Sequence, residues 1–262
     1  VIEMSVIMDY SPDRLAKVFF GCSPGDVKKT VILTLGTPWL FKKITRQKFV
    51  VNRSQGWWNL AVIKCDYLDA TVVAASSGCS EVTDIVRLLT KFSCENIIGV
   101  GLAEALKKDV QIGDIIVAVQ AISAFAKNVN EAIKHSEELY SIYRNLLKEF
   151  CMKNGVSLHV GTICTIDAIT SEGSKFYAYA ERMNLLGVEW KLFIYIEKLK
   201  KAGFKVFSFH VVSDNPVQHK SFVDEISESD IAKKRKIYRK LPILIKNIAA
   251  CIASKTDYSL PF

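Results

Sequence analysis

The stretch Ile97-Ile98-Gly99-Val100-Gly101-Leu102-Ala103-Glu104-Ala105-Leu106, with its continuation Ile112-Gly113-Asp114-Ile115-Ile116, decides how this chain folds. Runs of β-branched and aliphatic residues broken by glycine or aspartate read as buried strands ending in turns. They predict one strand over Asn96 to Val100 and another over Asp114 to Gln120. Similar runs predict strands at Thr30 to Leu35, Leu60 to Cys65, Ala70 to Ala75, Leu158 to Thr165 and Val206 to Val212.

Segments of helical period alternate with these strands. Ser80 to Phe92 carries Val82, Ile85, Val86 and Leu89 on one face, and Val129 to Asn154 reads as a long helix ending at Asn154-Gly155. A further helix is expected over Gly187 to Ala202, with Leu192, Ile196 and Leu199 inward and Gly203 as its stop. Ser227 to Ser254 opens with Ser/Asp capping chemistry, is basic at first and turns apolar after Pro242. Strands interleaved with helices indicate an α/β domain whose sheet is covered by helices.

Bulk properties narrow the function class. A chain of 262 residues, 50% hydrophobic and 24% charged, can bury a full core as one domain over residues 1–262. Its apolar runs fall short of the ~18 residues that a spanning helix needs, so no membrane association is expected. A start at Val1 without a charged, apolar leader fits a trimmed chain and a cytoplasmic location. The 7 cysteines are scattered and the 4 histidines unclustered, which fits free thiols and no metal site. Much of the net charge of +8 lies in Lys233-Lys234-Arg235-Lys236 and Arg239-Lys240, read as a solvated helix face rather than a nucleic-acid surface.

Ordered pieces of the sequence resemble the nucleoside phosphorylase family, which includes purine nucleoside and uridine phosphorylases and methylthioadenosine nucleosidases. Gly36-Thr37-Pro38 resembles its Gly-Asp-Pro turn, and Ser76-Ser77-Gly78 its Ser/Thr-Gly-x-Gly loop. The opening stretch is similar to its Arg-Val-Gly-x-x-Gly-Ala-Leu segment and the hydrophobic-Gly-Asp that follows. Val160-Gly161 with Thr165-Ile166-Asp167, then Gly187-Val188-Glu189 and Val212-Ser213-Asp214, match its later motifs. The resemblance spans roughly residues 30–250. It implies a three-layer α/β/α domain with a central mixed, barrel-like sheet, and attack of phosphate or water on the ribose C1′ as the base departs.

That chemistry sets three tasks. Guanidinium forks and backbone amides hold the anion, a carboxylate steadies the sugar beside the developing positive charge, and an acid serves the leaving base. The resemblance assigns the acid to Asp214, with Ser213 beside it; the plainer reading of Asp214 is a turn before Asn215-Pro216. Glu189, Trp190, Lys191 and Ile169 are expected to bind the substrate, and Glu189 equally suits a helix start. Gly36, Gly101 and Arg53 are the phosphate-site candidates, with Arg46 competing for the role of Arg53 and reach into a neighbouring subunit implied.

Departures from the family pattern concentrate at the anion site. Lys191 stands where the second, ribose-clasping carboxylate would be, and Trp190 replaces a methionine. Leu40 and Gly99 replace two arginines, Thr37 an aspartate, Leu102 a serine or threonine, and Glu104 a glycine. The expected function is a nucleoside phosphorylase-like protein acting on the N-glycosidic bond of a purine or pyrimidine nucleoside, with a degenerate phosphate site and no cofactor; phosphate would be a co-substrate unless water takes its place. The alternative is a catalytically silent homologue that binds a nucleoside-like ligand or partners an active paralogue. Homo-oligomers (a dimer or trimer of dimers) or hetero-oligomers with a paralogue are the implied assemblies.

Overall fold

The computed structural model describes residues 9–64, 69–75, 79–124, 132–166, 173–221 and 223–256. In chain order its elements are α1 (Pro12–Leu15), β1 (Thr30–Leu35), α2 (Pro38–Thr45), β2 (Val50–Ser54), β3 (Leu60–Ile63), β4 (Ala70–Ala75), α3 (Cys79–Leu89), β5 (Asn96–Ala105) and β6 (Ile115–Ser123). There follow β7 (Ile133–Lys134), α4 (Glu137–Asn154), β8 (Leu158–Thr165), α5 (Ser174–Arg182), β9 (Gly187–Glu189), α6 (Leu192–Lys201), β10 (Lys205–Asp214) and α7 (Glu228–Thr256).

The strands form one mixed sheet ordered β10-β6-β8-β9-β5-β1-β4-β3-β2, and a second pairing of β10 with β5 closes the first 5 of these into a barrel. β5 makes the closure because it is long enough to serve several neighbours. Along one edge Asn96 to Glu104 pairs in parallel with β10; along the other Asn96 to Val100 pairs with β1, and Glu104 and Ala105 pair antiparallel with β9. Full burial of both faces explains why β1 and β5 read as near-continuous apolar runs rather than alternating ones.

Helices cover both faces. On one side α3 and α6 set Ile85, Leu89, Leu192, Ile196 and Leu199 against Val31, Leu33, Ile97 and Val206 of the sheet. On the other, α2, α4 and α7 bury Leu40, Ile44, Tyr143, Leu147, Ile237 and Leu241 against Ile32, Ile98, Phe207 and Phe209. Each such aliphatic side chain taken out of water contributes about 1.5–3 kcal/mol. The result is a three-layer α/β/α arrangement around a mixed, barrel-like sheet.

Several local expectations are corrected. The helix expected from Gly187 begins only at Leu192, because Gly187 to Glu189 is drawn into the barrel as β9, between β8 and β5. The helix expected from Val129 begins at Glu137: Ser136 accepts the Leu139 amide as its N-cap, and Ile133–Lys134 pairs with β6 instead. β2, α2 and α5 arise where the sequence reading assigns no element. α7 runs through Pro242 as one helix, held by the apolar face that Ile237, Leu241, Leu244 and Ile245 lay on the sheet.

The basic run on α7 is partly internal wiring. Lys233 Nζ lies 3.1 Å from Asp114 Oδ1, Lys234 Nζ donates to the Ser213 carbonyl at 3.1 Å, and Lys236 Nζ to the Asn154 carbonyl at 2.9 Å. Trp58 is buried and stacks on Phe19 (5.6 Å between ring centroids), while Trp57 is 77% exposed and meets the same ring edge-on. The tryptophan pair thus packs on Phe19 and Phe20, and the Trp58 amide donates to the Phe19 carbonyl at 2.9 Å. Among the described residues no helix is long and apolar enough to cross a membrane.

Candidate active site

The carboxyl ends of the parallel strands β1, β5 and β10 reach one edge of the sheet, and β9 crosses beside them. Ligands of α/β sheets bind at such edges. A cleft of about 130 Å³ lies there, lined by Leu35 at the end of β1 and Gly36 after it, Gly101 to Glu104 of β5, Val188 to Lys191, and His210 and Ser213 of β10. Ligand pockets for whole drug-sized molecules begin near ~300 Å³, so this cleft matches a sugar-sized portion of a ligand.

Six of the residues expected at the site, Gly36, Gly101, Glu189, Trp190, Lys191 and Ser213, converge on this cleft. Asp214 is buried next to Ser213 and does not itself line the cleft; its carboxylate accepts the Ser213 hydroxyl, while Ser213 lines the cleft. Burial first, and then the charge of Asp214, push up the phenol of Tyr238 on α7; Tyr238 in turn stacks on Trp39 at 4.5 Å. Arg53 is exposed on β2 and Arg46 is exposed at the end of α2; neither lines the cleft. Ile169, Asp167 and the Ser76-Ser77-Gly78 loop lie outside the described residues.

Glu189 is buried and bound from several directions. Its Oε1 accepts the Thr165 hydroxyl at 2.5 Å and the Leu192 amide at 2.6 Å, and its Oε2 accepts the Lys191 amide at 2.7 Å. The Phe193 amide donates to Thr165 Oγ1 at 2.8 Å. A carboxylate thereby closes the open amides at the start of α6, where the helix dipole also favours negative charge. Burial pushes the Glu189 carboxyl above its usual range, against the opposing pull of Thr165, the two amides and the charge of Lys191. The helix-start reading of Glu189 is therefore realised, and Thr165 joins it as a partner that the sequence reading did not single out.

Lys191 is only 4% exposed and reaches back to the turn after β1. A Cβ built on Gly36 would come within 2.5 Å of its Nζ, and Gly36 itself adopts φ +62. The turn thus needs glycine twice over: for its left-handed backbone and for the ammonium lying on it. No arginine lines the cleft among the described residues; Lys191 brings the positive charge and Glu104 and Glu189 the negative. Leu40 points into the core beneath α2. At Gly99 the space that a longer side chain would use is closed by Leu35, Ser208 and Tyr195, each within 3.1 Å of a Cβ built there.

His210 completes the cleft and is absent from the residues expected there. It sits 1% exposed opposite Gly101 in the β10–β5 register. A Cβ on Gly101 would meet its ring carbon Cδ2 at 3.0 Å and Nε2 at 3.2 Å. The strand alternation that turns Val206, Ser208, His210 and Val212 to one face makes this histidine look like a core residue in the sequence. The signal that could have found it is a polar ring opposite a glycine at a ligand-bearing strand end.

Comparison with known proteins agrees with this arrangement. The profile of the Phosphorylase superfamily matches residues 30–239. A DeoD-type purine nucleoside phosphorylase of Mycoplasma genitalium is 25% identical over 216 residues, covering 78% of this chain and 88% of the relative. Among solved structures, a purine nucleoside phosphorylase from Toxoplasma gondii in complex with immucillin-H superposes with a TM-score of 0.69 at 16% identity, covering 89% of this chain and 95% of that one. The Campylobacter jejuni 5′-methylthioadenosine/S-adenosylhomocysteine nucleosidase gives 0.68 at 16% identity, covering 85% and 98%.

Proposed function

The chain belongs to the phosphorylase superfamily, and from that premise we propose that its cleft takes the sugar end of a purine or pyrimidine nucleoside and acts on the N-glycosidic bond. The observation that carries this reading is the convergence of Gly36, Gly101 to Glu104, Val188 to Lys191 and Ser213 on one cleft at the strand ends, with Asp214 buried next to Ser213. In this scheme Asp214, steadied by Ser213, serves the departing base as acid or hydrogen-bond partner. Trp190, 46% exposed at the cleft, offers an aromatic face to the sugar or base.

Water is the favoured nucleophile. Phosphate needs paired donors in a fork, and where the family pattern has arginines this chain has Leu40 and Gly99. Lys191 supplies a single point charge in their place, and Glu104 and Glu189 oppose a second anion in the same cleft. Arg53, exposed on β2, would contribute only across a subunit boundary, which the proposed homo-oligomer would supply.

A second reading, a homologue that binds a nucleoside without turning it over, is favoured by the state of Glu189, whose two oxygens are occupied by Thr165 and the amides of α6. A panel of purine and pyrimidine nucleosides, incubated with and without phosphate and followed by release of free base, separates the two. The first reading expects release that phosphate does not accelerate and that Asp214→Asn abolishes. Saturable binding without release selects the second, and absence of both removes the nucleoside assignment altogether.

A further inference from the structure

We propose that His210 is a ligand-contacting residue that selects a neutral hydroxyl group, from a sugar or from water, at the wall of the cleft. The proposal rests on the cleft being a nucleoside site and names the group that its His210 wall accepts. Neither ring nitrogen of His210 has a hydrogen-bond partner among the described residues, although the side chain is almost wholly buried and lines the cleft. Buried polar atoms are almost always satisfied, and one left open beside a cavity points to a partner that enters the cavity.

The surroundings define that partner's chemistry. Gly101 carries no side chain opposite the ring, so the imidazole packs directly on the β5 backbone at the wall of the cleft, with both nitrogens buried. Further in, Ser208 Oγ lies 3.2 Å from His135 Nε2, and His135 Nδ1 and the Tyr195 hydroxyl are likewise without partners among the described residues. Desolvation pushes the His210 pKa down to about 3, so the ring is neutral at pH 7 and offers one donor and one acceptor. A hydroxyl is the complement of such a ring, being itself both donor and acceptor. A phosphate dianion is a poor match, because its double charge would be buried against a neutral ring that brings no compensating positive charge. At about 130 Å³ the cleft has room for a pentose or a few waters.

The test uses the full chain labelled with ¹⁵N-histidine, with the His210 ring signals assigned by comparison with His210→Phe. Free ribose and inorganic phosphate are titrated separately, and contacts of the ring N–H with bound water are measured in the free protein. A saturable shift of the His210 nitrogens with ribose alone identifies a sugar hydroxyl. A persistent water contact without a ribose response identifies water. A shift with phosphate, or no response to ribose together with no water contact, overturns the proposal. His210→Phe removes the two unpartnered nitrogens and is expected to remove the ribose response; a ribose response that persists in His210→Phe would also overturn the proposal. Because neither probe is a nucleoside, a negative nucleoside panel with a positive ribose response removes the functional reading and leaves His210 standing.

Discussion

Replacing Glu189 tests whether this carboxylate serves the helix or the chemistry. Alanine there removes the acceptor for the Thr165 hydroxyl and for the amides of Lys191 and Leu192, all of them buried. A buried donor left open costs about 1–3 kcal/mol, and loss of a helix cap about 1 kcal/mol. Part of this is offset because a buried carboxylate no longer has to be desolvated. The net expectation is a destabilisation of about 3–4 kcal/mol, against a total of roughly 5–15 kcal/mol for a typical domain. Glutamine keeps one carbonyl oxygen but turns an NH₂ toward amide donors, so about half that loss is expected. Urea unfolding followed by tryptophan fluorescence measures it: the midpoint should fall with the slope unchanged, and thermal scans should show a drop of roughly 10 °C. If Glu189→Ala unfolds at the wild-type midpoint yet loses base release, the cap account is wrong and the residue belongs to the reaction.

Acid should destabilise the protein through its buried histidines. Desolvation pushes both His135 and His210 from 6.5 to about 3, so below pH 6.5 the unfolded chain takes up protons that the native state refuses. Their contribution is whole above pH 6.5 and is lost as the pH falls toward 3, at about 1.4 kcal/mol per pH unit for each ring. Unfolding midpoints at pH 7 and pH 5 should show about half that loss in His210→Phe; equal losses in both proteins would contradict it. Burial pushes the Asp114 carboxyl up, but hydrogen bonds from His159, the Gln111 and Ser157 amides and Lys233 together hold it below its usual range. Asp114→Asn should cost about 3 kcal/mol at pH 7. Because the stabilisation of a depressed carboxylate is present above 3.8 and lost as the pH falls below it, the difference from wild type should close in acid.

Much of the fold is legible where local pattern and tertiary environment agree. Thr30–Leu35, Ala70–Ala75 and Leu158–Thr165 form strands with the expected ends because β-branched runs between turn residues suit a buried sheet. Gly187 to Glu189 is not legible: a three-residue strand carries too little pattern, and its conformation is dictated by partners far away in the chain, Glu104 and Ala105 on one side and Ile163 to Thr165 on the other. α2 announces itself with Pro38 at its start and Lys42 and Lys43 in its last turn, signals too weak alone to outweigh a short length. At the site, motif order identifies the residues that converge, yet it says nothing of where a long side chain ends. That the ammonium of Lys191 returns to Gly36, and that His210 lines the cleft, depends on rotamers and register that only assembly of the strands defines.

The closure of the barrel also constrains how the protein can be made. The edge of β5 that runs from Asn96 to Glu104 finds its partner only in Lys205 to Asp214, more than 100 residues later. A nascent polypeptide that has not yet emerged past Lys205 carries a long, buried strand with one side unsealed, an invitation to intermolecular pairing. The cleft can be assembled only late in synthesis, and premature termination upstream of β10 would yield a sticky fragment rather than a weakened protein.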